Sequence, residues 1–222
     1  MKKKTKVISL IILFILISTF NPTYKSQTTS FFFPLKNIEI QNNKLIKKKN
    51  ISSALESLKG SNLLFLDQKK IKKNLLQFDS FSGFKIKKIY PNSIKIKIFE
   101  KKPVAIHVKN NKKFYIVEEG HLIDFVDNED SSRFPVVFGK IINFNLFFNE
   151  LKKNNFYNNQ IKSFHYYEIG RWDLTLKNNR TLKLPKFKYQ EALKNYDKIK
   201  NNKSFDKYKT FDYRIKDQLI LK

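Results

Sequence analysis

The opening of the chain constrains it most. Lys2, Lys3, Lys4 and Lys6 precede an uncharged run from Val7 to Phe20, and polarity returns with Asn21, Pro22, Tyr24 and Lys25. Lysine clusters beside an apolar helix are retained on the cytoplasmic side of a membrane. This asymmetry predicts a cytoplasmic tail over residues 1–6, a single transmembrane helix over 7–24, and export of everything after about Lys25. The apolar run makes roughly 21 Å of helix against a hydrocarbon core of about 30 Å, so a cleaved signal peptide is the competing reading. No A-x-A-like cleavage site follows the run, and Pro22, Tyr24 and snorkelling lysines suit the interface, which favours retention. A lipid-anchored form is excluded because the chain has no cysteine.

The exported part is long enough for two small domains and apolar enough to fold them. Of 222 residues, 41% are hydrophobic and 15% aromatic, which opposes disorder despite the charge. The absence of cysteine removes disulfides, thiolate metal sites and cysteine nucleophiles. A formal charge of +26 raises nucleic acid as a partner, but the lysines are spread along the chain rather than gathered into one stripe, and export separates the chain from nucleic acid. The expectation is a generally basic surface and no nucleic-acid partner.

Residues 25–34 read as a linker. In Leu35–Gln41, Ile38 and Ile40 fall on one face of a strand. Ile51, Leu55 and Leu58 recur at helical spacing, with Asn50 as candidate N-cap and Gly60 as the stop. Asp67 caps a second helix whose apolar face carries Ile71, Leu75 and Phe78. Strands follow over Phe84–Tyr90 and Ser93–Phe99, giving the order β-α-α-β-β. Beyond Pro103 the pattern is richer in strands: Val104–Val108, Lys113–Val117, Leu122–Val126, Ile161–Ile169, Arg171–Lys177, Thr181–Leu184, Thr210–Ile215 and Gln218–Leu221. Helices are expected over Phe144–Asn154 and Tyr189–Lys200.

Several local sequences in this order resemble the bacterial cell-division family FtsQ/DivIB. Phe99-Glu-Lys-Lys-Pro-Val-Ala105 resembles the family's E-R/K-x-P-V-A junction, and Tyr90-Pro-Asn-Ser-Ile94 the turn before it. Gly60-Ser-Asn-Leu-Leu-Phe-Leu-Asp67 resembles the segment between two helices of a POTRA domain. Tyr115-Ile-Val-Glu-Glu-Gly120 resembles the V-D-x-x-G hairpin, and Phe134-Pro-Val-Val-Phe-Gly139 the L-P-V-V-x-G loop. Arg171-Trp-Asp-Leu-Thr-Leu176 with Leu182-Lys-Leu-Pro185 resembles the paired strands of alphaproteobacterial members, and Phe211-Asp-Tyr-Arg214 the terminal V-D-L-R strand. The chain departs from the pattern at Gln41-Asn-Asn43, which lacks the usual glycine, and at Tyr213 and Ile215, which replace more usual residues.

The resemblance implies an α+β architecture: an N-terminal transmembrane helix, a POTRA domain over 35–103, then an FtsQ-type β-rich domain with flanking helices over 104–222. It implies a non-enzymatic divisome scaffold in the cell inner membrane, at the division septum. The N-terminus would be cytoplasmic and the C-terminal domains periplasmic. Its partners would be the small bitopic proteins FtsB and FtsL, other divisome proteins and, through them, septal peptidoglycan synthesis. A strand at the edge of the β domain, over Phe211–Ile215, would pair with the partner, and Arg214 and Arg171 would meet its carboxylates. The expected partner-binding residues are Arg171, Trp172, Phe211, Asp212, Tyr213, Arg214 and Ile215. Trp172 also fits a core position. A periplasmic POTRA-type chaperone or translocation component is the alternative.

No catalytic constellation is legible. His107, His121 and His165 lack metal-ligand spacing, and Asp124, Asp127, Glu129 and Asp130 lack the glycine and ligand order of a calcium loop. Neither a nucleophile elbow nor a phosphate loop occurs among five glycines. No cofactor, metal or small-molecule substrate is expected.

Overall fold

A computed structural model describes residues 2–18, 32–156 and 160–222. Helix α1 (Lys2–Ser18) begins among the lysines and carries the apolar run. Among the described residues no helix is long and apolar enough to cross a membrane. The rest of the expected span, residues 19–24, lies outside them.

A small unit follows. Strand β1 (Asn37–Gln41), helices α2 (Lys48–Leu55) and α3 (Gln68–Leu75), and strands β2 (Phe81–Ile89) and β3 (Ser93–Glu100) reproduce the β-α-α-β-β order. The sheet runs β1-β3-β2, with β1 parallel and β2 antiparallel to the central β3. Ile94, Ile96 and Ile98 point to one face of β3 and pack with Ile51, Leu55, Ile71 and Leu75 of the two helices. The Asp67 carboxylate accepts from the backbone N–H groups of Lys69 and Lys70, fixing the start of α3. Gly60, at φ +80°, supplies the left-handed turn after α2 and its short 3-10 extension. Asn50 does not cap α2: the helix starts earlier, behind Lys47, whose side chain makes no cap bond.

The larger unit is a nine-stranded mixed sheet in the order β12-β11-β10-β9-β8-β7-β4-β5-β6. Its strands are β4 (Pro103–Lys109), β5 (Lys112–Val117), β6 (Leu122–Asp124), β7 (Val136–Phe138), β8 (Ile161–Tyr167), β9 (Arg171–Leu176), β10 (Thr181–Lys183), β11 (Thr210–Asp212) and β12 (Ile220–Leu221). Helices α4 (Phe144–Lys153) and α5 (Tyr189–Ile199) cover one face. The register explains why. Val137, Phe164, Leu174, Leu182, Phe211 and Leu221 are successive partners across six strands, forming an apolar row under the helices. The adjacent row is Phe138, His165, Asp173, Lys183, Asp212 and Ile220, and it points to the other face. A slip of one residue would exchange the rows, so the register is strongly specified.

The two units meet at a carboxylate. Glu100, the last residue of β3, accepts from the backbone N–H groups of Lys44, Leu45 and Ile46 at 2.8–3.1 Å. This holds the turn after β1 so that Leu45 packs on a small cluster of Ile106, Tyr115, Val117 and Ile123 in the larger unit. Lys44 also reaches Asp130 at 3.7 Å. Asn42, at φ 64°, occupies the left-handed position where the family pattern has glycine.

Candidate functional site

The structure divides the seven expected partner-binding residues between core and surface. Trp172, Phe211 and Tyr213 belong to the aromatic core beneath α4 and α5. Trp172 stacks on Phe147 with ring centroids 5.0 Å apart, and Phe211 meets Tyr196 edge-on at 5.0 Å. The Tyr213 hydroxyl donates to Asn195 Oδ1 at 3.0 Å, and burial pushes its pKa well above the usual phenol range. The periodicity of β9 places Trp172 with Leu174 and Leu176, so its ring serves packing rather than recognition.

Arg171, Asp212, Arg214 and Ile215 lie on the opposite, helix-free side or in the segment leaving it. Asp212 is 5% exposed and receives a bidentate pair from Arg214: Nε to Oδ1 at 2.8 Å and Nη2 to Oδ2 at 2.6 Å. Those hydrogen bonds hold the Asp212 pKa below the usual carboxylate range. The Arg214 fork expected to meet a partner is therefore engaged within the chain, where it fixes the turn after β11. Arg171 lies over the Tyr167 ring at 4.3 Å and approaches Asp173 with Nε 3.5 Å from Oδ1. Among the described residues neither of those two atoms has a hydrogen-bond partner. Burial raises the Asp173 pKa, although Arg171, Lys183 and Arg214 all act to lower it. Arg171 on β9 and Arg214 in the segment after β11 thus both bear on the buried Asp173 carboxylate through their charge, while the Arg214 hydrogen bonds go to Asp212.

The expected edge strand is shorter and differently placed. Pairing of β11 stops at Asp212, and β12 lies beside it, so β11 is an inner strand and cannot accept a partner. The outer edge is β12. Thr210 and Lys222 exchange both backbone hydrogen bonds, at 2.9 and 3.1 Å. By antiparallel alternation, Leu221 is then a non-bonded position whose N–H and C=O point away from the sheet. Ile215 and Ile220 are exposed near this edge, 51% and 37% respectively. Of the strand expected over Gln218–Leu221, only Ile220 and Leu221 pair with β11.

One arrangement on the polar face has the residue types of a nucleophilic triad. Ser163 Oγ lies 3.1 Å from His165 Nε2, and His165 is the cross-strand partner of Asp173. No hydrogen bond joins Asp173 to either imidazole nitrogen among the described residues, and the His165 ring is stacked on Phe138 at 4.8 Å. A general base without an orienting group lacks the fixed tautomer that such chemistry needs. The other histidines are held elsewhere: His107 Nδ1 contacts the Val137 carbonyl, and His121 Nε2 accepts from Lys101 Nζ. Among the described residues no group of three or more His, Cys, Asp or Glu side chains is placed to hold a metal ion. In the acidic loop, Asp130 pairs with Arg133 and Asp127 accepts from Ser131.

Comparison with known proteins agrees with this architecture. The FtsQ-type POTRA domain matches residues 33–101, and the C-terminal domain of cell division protein FtsQ/DivIB matches residues 105–214. Cell division protein FtsQ of Rickettsia bellii is 32% identical over 201 residues, covering 87% of this chain and 74% of the relative. FtsQ of Rickettsia felis is 30% identical over 207 residues with the same coverage. Cell division protein DivIB of Clostridium tetani is 32% identical over 99 residues, 44% of this chain and 37% of the relative. With two successive domains matched in order and this identity sustained along most of the sequence, the chain belongs to the FtsQ/DivIB family of cell-division proteins.

Proposed function

We propose that this protein is a bitopic inner-membrane scaffold of the divisome that binds FtsB- and FtsL-like partners by strand addition at the outer edge of its β domain. A membrane span over residues 7–24, whose apolar run is Val7 to Phe20, anchors the chain, with residues 1–6 in the cytoplasm and the POTRA (35–103) and β (104–222) domains in the periplasm. Through its partners it links septum assembly to peptidoglycan synthesis. The observation that carries the reading is the outward-facing backbone of Leu221 on β12, bordered by Ile215 and Ile220. An extended partner segment gains main-chain hydrogen bonds there and places apolar side chains on the exposed isoleucines. The surrounding Lys216 and Lys222 favour an acidic segment. Arg214 contributes by fixing the turn that carries Ile215 and the approach to β12, with Asp212 as its counter-ion.

Leu221→Pro removes the outward N–H while sparing the Thr210–Lys222 pair. It should weaken FtsB-like partner binding at least tenfold, or about 1.4 kcal/mol. Thermal unfolding of the same variant shows whether the β domain remains folded. A folded Leu221→Pro protein with unchanged affinity would rule out strand addition at β12.

A further inference from the structure

At one end of the POTRA sheet five exposed apolar residues are held together. Phe32, Phe33, Leu64, Phe65 and Tyr90 come from three separate segments. The Leu63 N–H donates to the Phe33 carbonyl at 2.9 Å, and Pro34 bridges to Asn62. The Phe33 ring meets Tyr90 edge-on with centroids 5.4 Å apart, and Lys88 Nζ donates to the Leu64 carbonyl at 2.8 Å. Phe65 and Phe32 are 76% and 72% exposed. Scattered apolar residues on a surface need no explanation, but large exposed apolar residues on segments tied together at one end of a domain mark a surface that is covered in use.

Position and charge identify what covers it. Central strand β3 starts at this end, at Ser93, and leads to Glu100 at the other, where the chain passes to β4. Its length of eight residues separates the cap from the β domain by roughly 25 Å. Phe32 and Phe33 are themselves the residues by which the chain enters the domain, Phe32 lying fourteen positions after the end of α1. The cap therefore lies at the end that receives the chain from α1. The matched POTRA residues 33–101 contain sixteen lysines against five acidic residues. Aromatic rings at headgroup depth with lysines around them are the composition of a membrane interface.

We propose that this cap seats in the outer leaflet of an anionic bilayer, with Phe32, Phe65 and Tyr90 among the headgroups and Lys88 at the lipid phosphates. This rests on α1 anchoring the chain in the same membrane. Seating fixes the POTRA domain upright on the bilayer and sets the height at which the β domain meets its partners.

The chain has no cysteine, so single nitroxide labels can be introduced without background. Full-length Leu10→Cys, Phe65→Cys and Lys207→Cys proteins are labelled and reconstituted in vesicles of phosphatidylglycerol and phosphatidylethanolamine. Collision with oxygen and with a water-soluble nickel complex is then measured. The proposal expects labels 10 and 65 to favour oxygen several-fold over their values in water, and label 207 to remain aqueous. Label 10 in lipid with label 65 in water overturns the cap and leaves the anchor, as it would if a protein partner covered these residues. Both labels in water overturn cap and anchor alike, whereas label 65 in lipid with label 10 in water upholds the cap and removes the anchor. In a Tyr90→Cys-labelled chain, Phe65→Glu should shift the label into water, and a label that stays in lipid would also overturn the proposal.

Discussion

The POTRA sheet and the β-domain sheet each bury one face under two helices, yet they present different free faces. In the POTRA sheet the pairs Lys85–Lys97 and Lys87–Lys95 face each other across strands. Of these four lysines, Lys95 alone has an acidic partner among the described residues, Glu39 at 3.2 Å. Like charges opposite one another oppose pairing, so this sheet is held by its isoleucine face and the free face is solvated. The β-domain sheet instead places Ser163, Asp173 and Asp212 nearly out of water, with Ser163 against His165 and the two carboxylates against arginines from β9 and from the segment after β11. The first surface tolerates change because water satisfies each group singly. The second is sensitive because each buried charge depends on a neighbour.

The contrast breaks most severely in the core that supports the polar face. Phe147 stacks on Trp172 and meets Phe164 and Tyr189. Phe147→Ala should cost about 3–5 kcal/mol, with the β domain unfolding earlier in a denaturant titration followed by Trp172 fluorescence. POTRA amides should keep their hydrogen-exchange protection in that variant. Next in size is the joint: Glu100→Ala leaves three backbone donors without their acceptor and should cost about 1.5–3 kcal/mol. Differential scanning calorimetry should then resolve the two domains into separate transitions, because Leu45 loses its fixed seat on the β domain.

The two buried carboxylates sharpen the comparison through opposite responses to pH. Asp212 is held below the usual carboxylate range by Arg214, so its contribution is complete above that range and is lost as pH falls through the lowered folded-state value. Asp173 is held above the usual range by burial, so its contribution is greatest when it is protonated in both states and is lost as pH rises through the raised value. At neutral pH, Asp212→Asn should destabilise by about 1 kcal/mol, discounted because Arg214 is partly exposed. Asp173→Asn should be neutral or stabilising in the same urea titration, and a loss equal to that of Asp212→Asn would show Asp173 to be a structural counter-ion. The smallest effect belongs to the POTRA free face. Lys85→Gln and Lys87→Gln should each change stability by less than about 0.5 kcal/mol and should reduce its dependence on salt.

The POTRA fold was readable because its signals are local. The Asp67 cap, the Gly60 stop and the alternation of Ile94, Ile96 and Ile98 each fix a neighbouring stretch of chain. The β domain hides more. Val136–Phe138 reads as part of a proline loop, yet it is an inner strand lying parallel between β4 and β8. Three residues carry too little periodicity to reveal a pairing whose partners lie roughly thirty residues away in either direction. The C-terminal strand pairing is hidden for the same reason. Nothing in Phe211–Ile215 announces that Ile220 and Leu221 return to cover β11, nor that Asp212 claims the Arg214 fork. Ser163 and His165 on β8 and Arg171 and Asp173 on β9 converge with Lys183 and Asp212 only through the order β8-β9-β10-β11, which no local signal carries.

In the proposed binding mode a partner strand pairs with the outer edge of the β domain. Hydrogen exchange of the full-length protein in lipid, with and without an FtsB-like partner, tests it most directly. Slowed exchange is expected at the Leu221 amide, with no change along the free POTRA strand edge of Phe81–Ile89. Slowed exchange at that POTRA edge, with Leu221 unaffected, would contradict it.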